Sequence, residues 1–355
     1  MKRWAGFLGL CAALAASACG GDDGGGNDTG GQGGSGGQGG SSGSAGSGGI
    51  SNHPCQPSAD ECYVAGKSGP GAACLARHDN SEGDVVTLRV SQLELSSPTA
   101  LRQPFLQNSV ITPKITPDAP GCFQFGHSQF NILFAWNTST LKVTQGAAPP
   151  QALIGPMSDG SCYADFTDPA SGAKIQPVET DFVIEGDTYR AVFPEVAVPI
   201  YLEDSHTNYA LLPLHELEVT AKLSADRGCV GRYVPENLDE TQTCAAKEGQ
   251  FAYENGGSYR GYVTVEEADR VDIDSLRYSL CVLLSGNVKR WQHKPAGETI
   301  GRCVGSTGYV EEGGYPKGNW CAGTNQPATD SCHDAWLIES HYAAAGVKIN
   351  GTCPG

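Results

Sequence analysis

Apolar and polar residues alternate along several stretches of the chain. Val86, Leu88 and Val90 form one run, and Phe130, Ile132, Phe134 and Trp136 a second. Val196, Val198, Ile200 and Leu202 form a third, and Leu217, Val219, Ala221 and Leu223 a fourth. A period of two puts every second side chain on one face of an extended strand, so each run predicts a strand with one buried and one wet face. Pro-rich or Gly-rich breaks stand between them: Thr112-Pro113, Asp118-Ala119-Pro120-Gly121, Ala148-Pro149-Pro150 and Asp226-Arg227-Gly228. Many strands punctuated by turns predict a mainly β body, an antiparallel sandwich or barrel. Its sandwich-like part runs over residues 52–228, and a cysteine-rich part over 229–355, possible as one continuous domain.

Helical spacing is clear once. Leu276, Leu280, Leu283 and Leu284 form a stripe, Ser275 can cap it, and Gly286 suits the position just past its end, which predicts one short helix over 276–285. In 335–345, Trp336, Ile338 and Tyr342 alternate while Ala343 to Ala345 favour helix, and the alternation tips the reading to strand. Residues 111–122 and 219–229 echo one another, each pointing to a strand that runs through an Asp/Gly turn into a cysteine. A duplicated β-module and chance similarity both account for the echo.

Composition changes the picture at the N-terminus. Seventeen of the 48 glycines lie between Gly20 and Gly49, among Ser, Gln, Asn and three aspartates, a mixture with too little apolar surface to offset the entropy of ordering. Residues 20–51 are therefore a flexible tether, with an end-to-end distance of roughly 30 Å. Ahead of it, Lys2 and Arg3 precede an apolar stretch from Trp4 to Ala16, and small residues lead up to Cys19, the layout of a secretory signal over residues 1–18. The stretch is too short for a stable membrane span.

Ala16-Ser17-Ala18-Cys19 resembles the lipobox of bacterial lipoproteins. That resemblance implies cleavage before Cys19, diacylation of its sulfur and acylation of its new amino group, palmitate being a typical chain. Three chains at about 0.8 kcal/mol per buried methylene would anchor the protein firmly. In that family an aspartate after the acylated cysteine marks inner-membrane retention. Here Gly20 follows and Asp22 and Asp23 come later, which points to the outer membrane, facing either the periplasm or the cell surface.

The chain has 14 cysteines, and without Cys11 in the signal and Cys19 at the anchor an even 12 remain. In an exported protein this predicts disulfides, with short-range guesses of Cys122 with Cys162, Cys229 with Cys244, and Cys321 with Cys332. Zinc at Cys55, Cys62, Cys74 and His78 would need ligand pairs two to four residues apart, and here the gaps are six, eleven and three, which does not give two such pairs.

Other chemistry is sparse. Ala65-Gly66-Lys67-Ser68 lacks the upstream glycine of a phosphate loop, Gly-x-Ser-x-Gly occurs only within the tether, and no His-Glu-x-x-His is present. His206 and His215, near Glu203, Asp204 and Glu216, could make a site only if the fold joins strand ends. Glu266, Glu267, Asp269, Asp272 and Asp274 put five carboxylates in nine residues, the best metal candidate, for calcium, set against a solvated acidic face. No other cofactor is expected. Tyr309, Tyr315 and Trp320, in a Gly-rich stretch between Cys303 and Cys321, could offer flat rings to a saccharide or peptide, or Trp320 could simply cover a disulfide.

With 39 acidic against 23 basic residues, nucleic acid is not an expected partner. The expected function is a lipid-anchored cell-envelope protein with a non-catalytic binding or structural role. It would meet the membrane through its anchor and bind a saccharide or an envelope protein. The alternative is an exported hydrolase or other enzyme with dispersed active-site residues.

Overall fold

Eight strands each pair antiparallel with the next in sequence: β1 (Val85–Ser97), β2 (Asn131–Asn137), β3 (Lys142–Ala148), β4 (Val178–Glu185), β5 (Thr188–Tyr201), β6 (Tyr209–Lys222), β7 (Gly257–Thr264) and β8 (Ala335–Gly346). Burial alternates most cleanly along β7, whereas β1, β2, β3 and β8 include runs buried on both faces. β8 also pairs with β1, from Leu88 opposite Gly346 to Ser97 opposite Glu339, so the sheet closes on itself. The result is an up-and-down barrel, with the two-residue strand Cys229–Val230 added beside β8. Of the two architectures expected, the body is a barrel, and strands from both sides of residue 228 build its wall.

The computed structural model describes residues 78–353 except 104–105, 117–126, 151–159, 170, 204–206, 243–244, 248–249, 252, 295–296, 304–314 and 325–331. The signal, Cys19, the tether, the Gly66-Lys67-Ser68 loop, Cys55, Cys62, Cys74, Cys122, Asp204, His206, Cys244 and Tyr309 lie outside the described residues.

Alternation explains the wall. Val86 and Leu88 of β1 face Trp136 and Phe134 of β2 in register, and Phe193 and Ala191 of β5 face Leu217 and Val219 of β6. All are buried in one core cluster. Aromatic rings fill the interior: Trp136 meets Phe182 edge-on at 5.1 Å, and Phe134 lies 6.0 Å from Tyr342 and 6.1 Å from Tyr259. Charged pairs line the outside, among them Arg190 with Glu218 and Arg260 with Glu339. An apolar inside and a charged outside is the reverse of the pattern of a lipid-spanning barrel.

Tyr342 ties β8 to β7 and β6. Its ring crosses the inner face of β7 at Gly257, where an added Cβ would come within 2.4 Å of it, and its hydroxyl donates to the Thr220 carbonyl of β6 at 2.9 Å. Position 257 therefore has room only for glycine.

On the outside of β1, Arg89 is buried under the helical turn Thr112–Ile115. It donates to Asn131 Oδ1 at 2.7 Å and to the carbonyls of Ile115 and Val90. Burial pulls its pKa down to about 10. Thr112-Pro113, expected as a break, opens that turn, and so the echo of 111–122 with 219–229 fails: Ile111 to Ile115 is helical where Val219 to Lys222 is strand.

The expected 276–285 helix is shorter. Arg277 has a left-handed φ of 60°, and Tyr278–Ser279 pairs with Asp272–Ile273 as a small ladder. The helix spans only Leu280–Leu284, with Ser279 rather than Ser275 as its N-cap. Gly286 stands just past its end with φ +67°, as expected. Residues 335–346 form a strand, as the alternation indicated.

Three disulfides lie among the described residues. Cys321 pairs with Cys332 as expected, Cys281 with Cys303, and Cys162 with Cys353. The expected Cys122–Cys162 bridge is thus corrected. Short sequence distance favoured it, but the strand Ser161–Tyr163 runs parallel to Ile349–Thr352 and brings the distant Cys353 alongside Cys162. Cys229 is also disulfide-bonded.

Candidate functional site

The barrel has two ends. One carries the turns at 138–141 and 186–187; the other carries the end of β7 and the start of β8. The densest set of ionisable and aromatic groups gathers at the second, around His215.

His215 projects from β6, opposite Glu195 of β5 and Tyr262 of β7. The β6–β7 register slips between Arg260 and Tyr262, a bulge that sets Glu216 and Leu217 against Gly261. Glu216 takes a left-handed φ of 47° there, and Gly261 admits the bulge because a Cβ would meet the His215 carbonyl at 3.1 Å. Bulges of this kind re-aim side chains at barrel rims.

Helix α1 (Val265–Arg270) starts directly after β7 with a capping box: Thr264 Oγ1 accepts from the Glu267 amide, and the Glu267 carboxylate accepts from the Thr264 amide at 3.2 Å and hydroxyl at 2.6 Å. The same carboxylate holds His215 Nε2, at 2.8 Å to one oxygen and 2.9 Å to the other. The imidazole stacks on Tyr262 at 5.3 Å. Its Nδ1 has no hydrogen-bond partner among the described residues.

The electrostatics follow from these contacts. Partial burial works against a charged Glu267, but the hydrogen bonds from His215 and Thr264 outweigh it and bring its pKa down to about 2. The hydrogen bond to Glu267 raises His215 above the ordinary histidine value against partial burial, and the charges of Glu267, Glu195 and Glu216 add to the rise. Burial, then the Glu216, Glu267 and Asp334 charges, raise Tyr262. Chemically this is an imidazole oriented by a carboxylate through one nitrogen, with the other left to take or give a proton.

Beside it, buried Asp334 accepts from the amides of Ala322 at 2.7 Å and Thr324 at 2.6 Å and from the Thr324 hydroxyl at 2.7 Å, fastening the Cys321 loop to the start of β8. Trp320 is half-buried, with Arg260 over its ring at 4.9 Å. Tyr315 is half-buried against the core. Neither described ring stands as a bare platform.

The five carboxylates expected for calcium do not converge. Glu267 serves His215, buried Asp269 accepts from Ser279 Oγ at 2.7 Å and the Cys303 amide at 2.6 Å, and Asp272 pairs with Arg302 at 2.8 Å. Glu266 lies in the first turn of α1, and Asp274 in the turn before Tyr278. Two close groups of potential ligands occur among the described residues, Asp269 with Cys281 and Cys303, and Asp334 with Cys321 and Cys332. In each the two sulfurs are bonded to one another, which removes the thiolates a metal would need.

Of the residues singled out from sequence, the fold gives His215 a partner, but one 52 positions away rather than among its neighbours. The capping signature Thr264-x-x-Glu267 was the signal that could have fixed Glu267 in place. No known protein family, curated protein or solved structure matches this chain.

Proposed function

We propose that this chain is a lipid-anchored protein of the cell envelope whose barrel serves a non-catalytic binding or structural role outside the cytoplasm. The observation that carries the reading is the pairing of cysteines across the body, Cys162–Cys353 above all, because such bonds persist only where thiols are not kept reduced. The lipobox-like Ala16-Ser17-Ala18-Cys19 and the Gly/Ser tether supply the attachment. Aromatic side chains occupy the barrel interior, so recognition falls to the outer surface, where a saccharide or an envelope protein would bind. Replacing Cys19 by Ser should move the protein from the membrane to the soluble fraction; retention in the membrane would refute the anchor. Protease treatment of intact cells then reads its side, since loss of the body marks the surface and protection until permeabilisation marks the periplasm.

One observation favours a second reading, an exported hydrolase. The His215–Glu267 pair has the arrangement of a general base with its orienting carboxylate. Turnover of ester, glycoside or amide probes that disappears in His215→Gln while the fold persists would establish it, and equal rates in both proteins would dismiss it.

A further inference from the structure

Exposed aliphatic side chains are confined to the other end of the barrel. Among the described residues the large exposed ones are Val85 at 43%, Leu141 at 45%, Val183 at 52%, Ile184 at 47% and Val192 at 45%. Val85 opens β1, where it pairs with Asn137 at the end of β2. Leu141 occupies the β2–β3 turn with φ 54°, and its carbonyl accepts from the Phe182 amide, which puts it beside the β4–β5 hairpin. Val183 and Ile184 lie in that hairpin, just before its turn at Gly186. Val192 sits one row further in, opposite Glu218. Single exposed aliphatic residues are ordinary on a protein surface; here all five large ones among the described residues lie at one end, with Leu141, Val183 and Ile184 on two neighbouring turns and Asn137, Lys142 and Asp181 in register between Val85 and Val192.

The chain also arrives at this end. Asn80 bonds Thr87 near the start of β1, and the His78 carbonyl lies against Gly346, the last residue of β8. The charges around the patch are paired: Lys142 with Asp181 at 2.5 Å, Lys222 with Asp187 at 2.7 Å, and Arg190 with Glu218 and Glu185. The rim therefore carries paired charges with a small excess of acid, in keeping with the −16 of the whole chain.

We infer that this end is a contact surface for a zwitterionic lipid headgroup region, touched by the turn at Leu141 and the hairpin at Val183–Ile184. The inference rests on the anchor reading proposed above. An acylated Cys19, joined to the body through the Gly/Ser-rich residues 20–51, would hold the body near the bilayer, so a weak surface suffices. Turn tips that carry aliphatic residues form no groove for a protein segment, and a rim with more acid than base gives no steering toward anionic lipid. In this orientation the His215 end points away from the membrane.

The test uses the lipidated mature chain in phosphatidylcholine–phosphatidylethanolamine vesicles, with a benzophenone amino acid at Ile184 or, at the opposite end, at Thr207. The expected result is a phospholipid adduct several-fold more abundant from 184 than from 207, reduced several-fold by Leu141→Ser with Val183→Ser while co-sedimentation with vesicles persists. Equal adducts from both positions overturn the inference and leave the anchor standing. An adduct from 184 to a second copy or to another protein also overturns it. A folded chain that fails to co-sediment removes the anchor and this inference together.

Discussion

The two ends of the barrel are built from the same eight strands and share almost no chemistry. The His215 end is fastened by specific polar contacts: a capping box that also holds a histidine, an aspartate saturated by loop donors, an arginine over Trp320 and the Cys321–Cys332 bridge. The Leu141 end is finished by tight turns with left-handed residues, surface ion pairs and uncovered aliphatic side chains. Strand alternation decides the wall and says nothing of the rims. Connections decide those: the ones that carry α1 and the Cys321 loop lie at the His215 end, whereas the 223–256 connection, with Cys229, leaves and re-enters the wall at the Leu141 end.

The comparison breaks first if the ends are not joined by a common core. Phe134→Ala, in the aromatic interior, should cost about 3–5 kcal/mol and loosen both ends in a single transition by hydrogen exchange; separate transitions would show two independent halves. Next, removing Cys321 and Cys332 together opens a loop spanning 11 positions and should cost about 2–3 kcal/mol. Exchange should rise in 315–324 and stay unchanged in 137–142, and a rise at both would contradict the separation.

The His215–Glu267 contact gives the far end a pH signature. The raised His215 contributes fully below its ordinary value of 6.5 and loses the contribution as pH rises through its folded value. The lowered Glu267 contributes above its ordinary 4.5 and loses it as pH falls through about 2. The pair is therefore strongest between pH 4.5 and 6.5. His215→Gln should remove about 1–2 kcal/mol at pH 5.5 and less at pH 9, by chemical denaturation at both values, and a loss independent of pH would point to packing alone. Thr264→Ala should cost about 1 kcal/mol through the helix cap and release His215 toward its ordinary titration, followed by NMR. Smallest of all, Leu141→Ser should change stability by less than about 0.5 kcal/mol, and a larger loss would mean that the side chain is not free at the surface.

Much of the wall was legible. The four alternating runs all fall in or beside barrel strands, and so does the stretch that contains Trp336 and Tyr342. Ring closure was not, because pairing β1 with β8 depends on contacts about 250 positions apart that no local pattern encodes. β3 escaped notice for another reason: Lys-Val-Thr-Gln-Gly-Ala-Ala places Gln145 on the inner face opposite Phe134, so its alternation is not apolar. The predicted helix started too early because leucine spacing cannot reveal that Arg277 turns left-handed. His215 was noticed without its partner, since Glu267 read as one member of an acidic run, and only the cap at Thr264 turns it back toward β6.

The bare position at 257 is closed off from two sides. Any side chain there evicts the Tyr342 ring, and shrinking residue 342 alone leaves a hole against Phe134 and Tyr259. Each single change is costly, and shrinking residue 342 does not free position 257, where a Cβ would still meet the Thr220 carbonyl at 2.8 Å. In descendants of this sequence glycine at 257 should persist even where residue 342 changes, because the β6 backbone as well as the ring excludes a side chain there.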